Sequence, residues 1–328
     1  MQKVLLTAAT GNIGAWLVPK LLATGAVKLL LPTSDARKLS SFNNSENVSI
    51  IEGLISDPQW VEKQLQSHEI DTIFLCLFGI DEIFTAFNFL NAIQRSPCVK
   101  HVVYMHSRTS QTLMNILLIN FTRYLSACGN FLNEPDSAIN WMCPHTKIKP
   151  PVEAALRNIK TFTHTIIGPS LFFKNDYRVK DAIVRGRRWV EPYGEKGTSR
   201  VAVEDIADAV VTAIRDRGRN WNGRKIQLGT LKQFTSEDHA ALWSNSLGFP
   251  IKAVPSNQES LNMLEKHLRE ELGPVWGRDL ALLYAGIVLT GLGMSEEDYK
   301  TQVEFLGREP AKYEDFVMKV AEEWKKEL

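Results

Sequence analysis

His106, Ser107, His145 and Asp176 are the residues of this chain best suited to moving a proton or meeting a developing charge. An imidazole titrates near pH 6.5, so either histidine can give or take a proton at neutral pH. His106 and Ser107 follow the apolar run HVVYM at 101–105, and the carboxyl end of such a strand is the edge at which open α/β sheets bind ligands. There Ser107 could orient a carbonyl and His106 could protonate it. The plainer reading is two ordinary strand-end residues. Asp176 lies in the stretch Phe172, Phe173, Lys174, Asn175, Asp176, Tyr177. These aromatics suit the apolar walls of a substrate cavity, with Asp176 as partner for a cationic substrate. Packing beneath a lobe is the competing use of Phe172 and Phe173.

A second group suits a phosphate ligand. The apolar run VLL at 4–6 enters Thr7, Ala8, Ala9, Thr10, Gly11, Asn12, Ile13 and Gly14, and a helical stripe of Trp16, Leu17, Val18, Leu21 and Leu22 follows. A loop of this kind must turn tightly, bring backbone N–H groups close to a pyrophosphate and aim a helix N-terminus at it. Gly11 and Gly14 provide the close approach. Ala8 stands where the first glycine of a G-x-x-G-x-x-G spacing would fall.

Both groups need a sheet to hold them. Strand patterns recur at 27–31, 48–51, 71–78, 101–105 and 163–167, with helical patterns at 60–66, 84–95 and 152–158 between them. This alternation predicts an α/β fold, a Rossmann-type doubly wound parallel sheet with right-handed crossovers. Beyond it come helical patterns at 204–215, 236–247 and 260–272 and a short strand at 225–228. We therefore expect a dinucleotide-binding domain over 1–168 and a smaller, mostly helical substrate lobe over 169–328, with some return of chain to the first domain. The apolar run at 280–294 is shorter than the roughly 20 residues that span a bilayer. It reads as a buried helix or helix pair, serving as core, pocket wall or dimer interface.

Composition narrows the partners. Among 328 residues, 38 Lys and Arg balance 37 Asp and Glu, so net charge gives no basis for a nucleic-acid or acidic-membrane partner. Cys76, Cys98, Cys128 and Cys143 show neither a C-x-x-C pair nor metal-ligand spacing, so no metal is expected and the thiols read as reduced. The opening MQKVLL leaves no room for a secretory signal. A cytoplasmic protein with a small-molecule substrate is the expectation.

Together these segments resemble the NmrA-like family, a branch of the atypical extended short-chain dehydrogenases, over nearly the whole chain. The family loop T-G-A-T-G-x-x-G is similar to 7–14, V-K-H-V-V-Y to 99–104, and T-I-I-R-P-x-x-F-F-x-N to 165–175. V-x-V-E-D-I-A is similar to 201–207, and the closing G-R-x-P and F-x-x-F-V segments to 306–310 and 313–317. A further match is His145, Lys149 and Glu153, spaced by four.

The resemblance implies NADP(H), favoured over NAD(H), on residues 7–14. Thr33 and Ser34 would donate to the 2′-phosphate and Arg37 would supply charge. Cys76, Leu77, Phe78, Pro169 and Leu171 would also face the cofactor. Short-chain dehydrogenases use Tyr-x-x-x-Lys; here His145 stands four before Lys149. Lys149 would hold the nicotinamide ribose, and, preceding Pro150 and Pro151, is expected just outside a helix. His145 is then a proton donor or a histidine bonded locally, and Lys149 a cofactor contact or a surface lysine. Ala8, Leu54 for a usual Asp, and Gly168 for a usual Arg depart from the pattern, the last opening space beneath the lobe.

The implied activity is an NADPH-dependent reductase of a bulky, largely apolar molecule at a C=N, C=O or activated C=C bond. Family members in fungal specialised metabolism include iminium reductases of alkaloid pathways, whose hydride step needs no proton donor. Two alternatives stand: a non-redox isomerase or cyclase using His106, His145 or Asp176, and a redox-silent NAD(P)-sensing regulator with a protein partner.

Overall fold

A computed structural model describes residues 1–77, 81–105 and 144–327. Six strands alternate with crossovers: β1 (Gln2–Leu6), β2 (Val27–Thr33), β3 (Val48–Glu52), β4 (Thr72–Leu75), β5 (His101–Met105) and β6 (Thr163–Pro169). Three two-residue strands follow, β7 (Leu171–Phe172), β8 (Arg188–Trp189) and β9 (Arg200–Val201), and then β10 (Lys225–Leu228). The main sheet has seven strands in the order β10-β6-β5-β4-β1-β2-β3, every pair parallel. The chain winds outward from β1 through β2 to β3 and then restarts at β4 on the other side. This places a topological switch point between β1 and β4, where a crevice opens at the carboxyl ends.

Continuous apolar runs form these strands because both faces are covered. On one face α1 (Gly14–Ala23) packs with residues of a later helix around Leu6, Val18, Val103 and Val203. On the other, α2 (Pro58–Ser67), α3 (Glu82–Gln94) and α5 (Lys149–Asn158) cover Leu5, Ile73 and Val102 with Val61, Phe89 and Leu156. A four-residue helix, α4 (Pro144–Lys147), leads directly into α5. After α6 (Lys180–Val184), the helix α7 (Val203–Asp216) completes the first face, and β10 returns beside β6.

A third core lies beyond the sheet. It gathers α8 (Ser236–Leu247), α9 (Gln258–Thr290) and α11 (Tyr313–Lys325) around Trp243, Tyr284 and Trp324, while α10 (Glu296–Leu306) lies back against β10 and α7. Among the described residues α9 is the one helix long and apolar enough to cross a membrane. Yet 44% of its apolar window is buried in the protein, and it is kinked at Gly273 (φ 82°) before Pro274. The apolar run at 280–294 begins in its second half, where Tyr284, Ala285 and Ile287 are core.

Asp176 sits at the centre of this third core and not in a substrate cavity. Its side chain is fully buried and ion-paired with the equally buried Arg200. Trp243 Nε1 donates to it at 3.1 Å, and the Tyr313 hydroxyl donates to the same oxygen. Arg200 also donates to the Phe172 carbonyl at 2.9 Å and to His239 Nε2 at 2.8 Å. A carboxylate so completely engaged has nothing to offer a cationic substrate, which corrects the role expected of it. Removing it strands a buried guanidinium. Asp176→Ala is expected to destabilise the fold by about 3–5 kcal/mol, read as a lower denaturant midpoint; an unchanged midpoint would show the pair to be dispensable.

Candidate functional site

The loop after β1 is tied to the end of β4. Thr7 is fully buried; its hydroxyl donates to the Cys76 carbonyl at 2.9 Å and accepts from the Cys76 N–H at 2.8 Å. The chain then takes a left-handed turn at Ala8 (φ 57°), a conformation in which a Cβ costs about 1 kcal/mol or more. Gly11 N–H closes this turn on the Ala8 carbonyl at 3.0 Å. A Cβ built on Gly14 would fall 2.2 Å from the Ala9 carbonyl oxygen, so only glycine lets α1 start this close to the strand. No side chain caps the N-terminus of α1 at Ile13. The geometry fits a pyrophosphate: a tight backbone, a glycine where a methyl would collide, and a helix start without a side-chain cap.

A cavity of about 260 Å³ opens from Ala8, Ala9 and Thr10 across Thr33, Ser34 and Lys38 to Leu77 and Glu82. Lys38, not Arg37, is the cation that lines it. Arg37 is turned back by a local cap: Asp35 accepts from its backbone N–H at 3.1 Å and from Nε at 2.8 Å, leaving the Arg37 side chain 90% exposed. The same contact holds the Asp35 carboxyl below its usual range. Thr33 is also engaged locally, since its hydroxyl accepts from the Asp35 N–H and donates to the Asp35 carbonyl. Leu54, in place of an aspartate, is an exposed apolar residue on the cavity wall. Ser34 and Lys38 fit a 2′-phosphate, while the Thr33 hydroxyl proton is already committed to the Asp35 carbonyl.

Lys149 begins α5 and does not precede it. Pro150 and Pro151 fall in the first turn, where their missing N–H groups break no helical bond, and Ile148 forms the short break between α4 and α5. The lysine is 4% exposed and its ammonium pairs with Glu82 at the start of α3. Burial pushes the Glu82 carboxyl up while Lys149 opposes it. Beside this pair, burial raises the Cys76 thiol to about 12, which keeps it protonated and unreactive. The Tyr104 hydroxyl is buried there without a partner among the described residues. Glu82 has no counterpart in the motif reading; its signal was an acidic pair, Asp81 and Glu82, opening a helix after the fourth strand.

His145 is held from far along the chain. Its backbone N–H donates to Asp279 Oδ1 at 3.0 Å, and its Nδ1 pairs with the other carboxylate oxygen. Asp279 lies in the second half of α9 and is buried. The Trp276 ring stands 6.1 Å from the imidazole, inclined by 52°. Together with Pro144, Ile148, Pro274 and Leu282 these residues line a cavity of about 380 Å³ whose walls are mostly apolar. Asp279 was hidden because it directly precedes a run that reads as core.

The other expected residues are placed elsewhere. Pro169 ends β6 and Leu171 and Phe172 form β7, paired with β9. Phe173 is buried against Tyr313 and Phe316, with ring centres 5.2 and 5.4 Å apart, and Tyr177 lies edge-on to Phe316 and Trp324. Asn175 is half-buried in the same turn. Phe173 and Tyr177 of this stretch pack against α11, and the stretch lines neither cavity described above. Gly168 opens no space either: a Cβ there would meet Gln227 Oε1 at 2.6 Å, because that side chain fills the gap. His106, Ser107 and Phe78 lie outside the described residues.

The loop, the switch point and the cavity above them define a dinucleotide-binding Rossmann protein. Residues 8–217 match the NAD(P)H-binding family, and the chain belongs to it. Among solved structures it is similar to a nucleoside-diphosphate-sugar epimerase of Staphylococcus aureus (TM-score 0.75, 15% identity, covering 97% of this chain and 100% of that one). It is also similar to an NADPH-dependent quinone oxidoreductase of Escherichia coli complexed with NADPH (0.74, 16%, 97% and 99%). A third is NmrA, a negative transcriptional regulator, in complex with NADP (0.64, 13%, 99% and 97%). At these identities the likeness is one of fold. A search of curated proteins returns no match.

Two outcomes follow for the cradle. Lys38→Ala should weaken NADPH about tenfold while leaving NADH unchanged, and Arg37→Ala should do much less, as charge-assisted phosphate contacts contribute more than exposed paired ions; fluorescence titration of both nucleotides decides. Ala8→Gly, which relieves the left-handed alanine, should stabilise the protein by about 1 kcal/mol in denaturant titration.

Proposed function

We propose that this protein is an NADP(H)-dependent reductase of a bulky, largely apolar small molecule carrying a C=O, C=N or activated C=C bond. One observation carries the reading. Glu82 lines the nucleotide cavity and pairs with Lys149, and one short turn before Lys149 the chain presents His145 to a second, apolar cavity. A nucleotide site is thereby connected through buried charges to a space of small-molecule size, on the scale of roughly 300–1,000 Å³ for such pockets.

When bound, the nicotinamide supplies hydride chemistry. The chain's own residues do the rest. The loop at Gly11 and Gly14 seats the pyrophosphate, Lys38 with Ser34 selects the phosphorylated ribose, and Lys149 with Glu82 offers a cation and a carboxylate to the cofactor's hydroxyls. Apolar walls at Ile148, Trp276 and Leu282 exclude water from the reacting bond.

The quinone oxidoreductase supports the reductase reading by fold. The test is nucleotide titration followed by NADPH oxidation with quinones, ketones, enones and cyclic iminium ions. Consumption of NADPH matched by reduced product is expected. Tight nucleotide binding without turnover on any of them would favour a sensor, the role named for NmrA. Product formed without net NADPH consumption would favour an isomerase or cyclase.

A further inference from the structure

At the end of the sheet opposite the nucleotide crevice, the chain entering β5, β6 and β10 frames a cavity of about 390 Å³. Lys100 precedes β5, Arg157 lies in the last turn of α5, and Lys160 and Phe162 are on the connection from α5 to β6. His164 is the second residue of β6, and Asn222 lies on the loop before β10. Three of these residues are cations, and among the described lining residues none is acidic. Arg157 is paired with Glu153 at 2.9 Å. The two lysines are engaged differently: Lys100 Nζ donates to the Pro97 carbonyl at 2.6 Å and Lys160 Nζ to the Arg157 carbonyl at 2.7 Å. Neither ammonium has a carboxylate partner among the described residues. A carbonyl takes one of the three protons an ammonium donates and cancels none of its charge. Between these cations His164 is only 6% exposed, and its Nε2 is buried without a hydrogen-bond partner among the described residues. Burial, reinforced by Arg157 and Lys160 and opposed by Glu153, lowers its pKa, so the ring is neutral at pH 7 and keeps one N–H to donate. The His164 backbone holds the loop beside it: its N–H donates to Asn222 Oδ1 at 3.0 Å and its carbonyl accepts from the Gly223 N–H at 2.7 Å. Buried polar atoms are nearly always paired, and a ligand oxygen beside this ring would pair it.

We propose that this cavity binds a small phosphomonoester at a site separate from the dinucleotide cradle. Two lysine charges without a carboxylate match the double charge of a phosphate group, and its several oxygens can accept from Lys100, Lys160, His164 and Asn222 together. The rest of the wall suits an organic body. Phe162 is buried, Ile159 is half-buried, and both line the cavity, whose size is that of a small-molecule site. A bare phosphate ion would leave this apolar surface uncovered. A nucleic acid would need a basic surface running well beyond one cavity, and the chain as a whole balances 38 basic against 37 acidic residues. The two cavities share no described lining residue, and they lie at opposite ends of the parallel strands. The proposal therefore stands whether or not the protein is a reductase. A bound dianion favours the charged form of a neighbouring imidazole, so His164 takes up a proton more readily when the site is filled.

The test uses the full chain at low ionic strength, with phenyl phosphate, inorganic phosphate and benzoate as probes in calorimetric titration. Phenyl phosphate should bind about tenfold more tightly than benzoate, which carries a single charge, and than inorganic phosphate, which lacks the ring. Lys100→Ala and Lys160→Ala should each weaken phenyl phosphate about tenfold. Both lysines are exposed, so neither change opens the core. Lys38→Ala, in the nucleotide cradle, should leave this binding unchanged. By NMR, saturating phenyl phosphate should raise the titration of His164 by about one unit. Absence of binding, binding lost in Lys38→Ala but kept in both other lysine variants, or an unmoved His164 titration would overturn the site. Benzoate binding as tightly as phenyl phosphate would overturn phosphate as the ligand class. Inorganic phosphate binding as tightly as phenyl phosphate would overturn the organic body.

Discussion

The ion pair between Asp176 and Arg200 is the constraint on which the rest of the molecule rests. Two fully buried charges are costly to desolvate and are tolerated only where nearly every lone pair and proton finds a partner. Trp243, Tyr313, His239 and the Phe172 carbonyl meet that demand, and they come from three places: α8 for Trp243 and His239, α11 for Tyr313 and β7 for Phe172. The network extends outward. Arg200 approaches the Tyr193 hydroxyl at 3.4 Å, and the hydroxyls of Tyr193 and Tyr284 both donate to Glu191. Tyr284 lies on α9, little more than one turn beyond Asp279. The buried pair therefore fixes the helix that carries the partner of His145.

The nucleotide cradle answers to different forces. It is governed by backbone sterics: the 2.2 Å approach that only Gly14 permits and the left-handed turn at Ala8. Its polar residues hold their neighbours as much as any ligand, since Thr7 braces the end of β4 and Asp35 commits Arg37 to the surface. On the cavity wall Glu82 pairs with Lys149, both buried enough that moving either partner leaves the other in an unsolvated environment.

The strands were legible because parallel strands covered on both faces leave mostly apolar runs, and β1, β2, β4 and β5 fall on them. The loop was legible because its requirement is local: glycines at fixed spacing next to a strand. What could not be read was which charged residue faces a cavity. Asp176 follows the sixth strand among aromatics and reads as a pocket residue, yet Arg200 claims it. Asp279 reads as the margin of a core helix, yet it meets a histidine 134 residues earlier. Arg37 and Lys38 are adjacent, and the difference between them is set by the Asp35 cap. In each case the deciding partner lies outside the pattern that drew attention to the residue.

The span between His145 and Asp279 has a consequence for how the molecule comes into being. Among the described residues the nucleotide cavity is lined by segments between Ala8 and Thr85, and its longest brace, Thr7 to Cys76, closes 69 residues of chain. The dyad must wait for a contact across 134 residues, and contacts of such sequence separation carry a larger loop-closure entropy and dominate slow, late assembly. During folding, then, the nucleotide seat is able to take shape before the pair of His145 and Asp279 exists. A ligand that binds the early-formed part stabilises it by mass action, so a dinucleotide can act on this chain as a folding ligand.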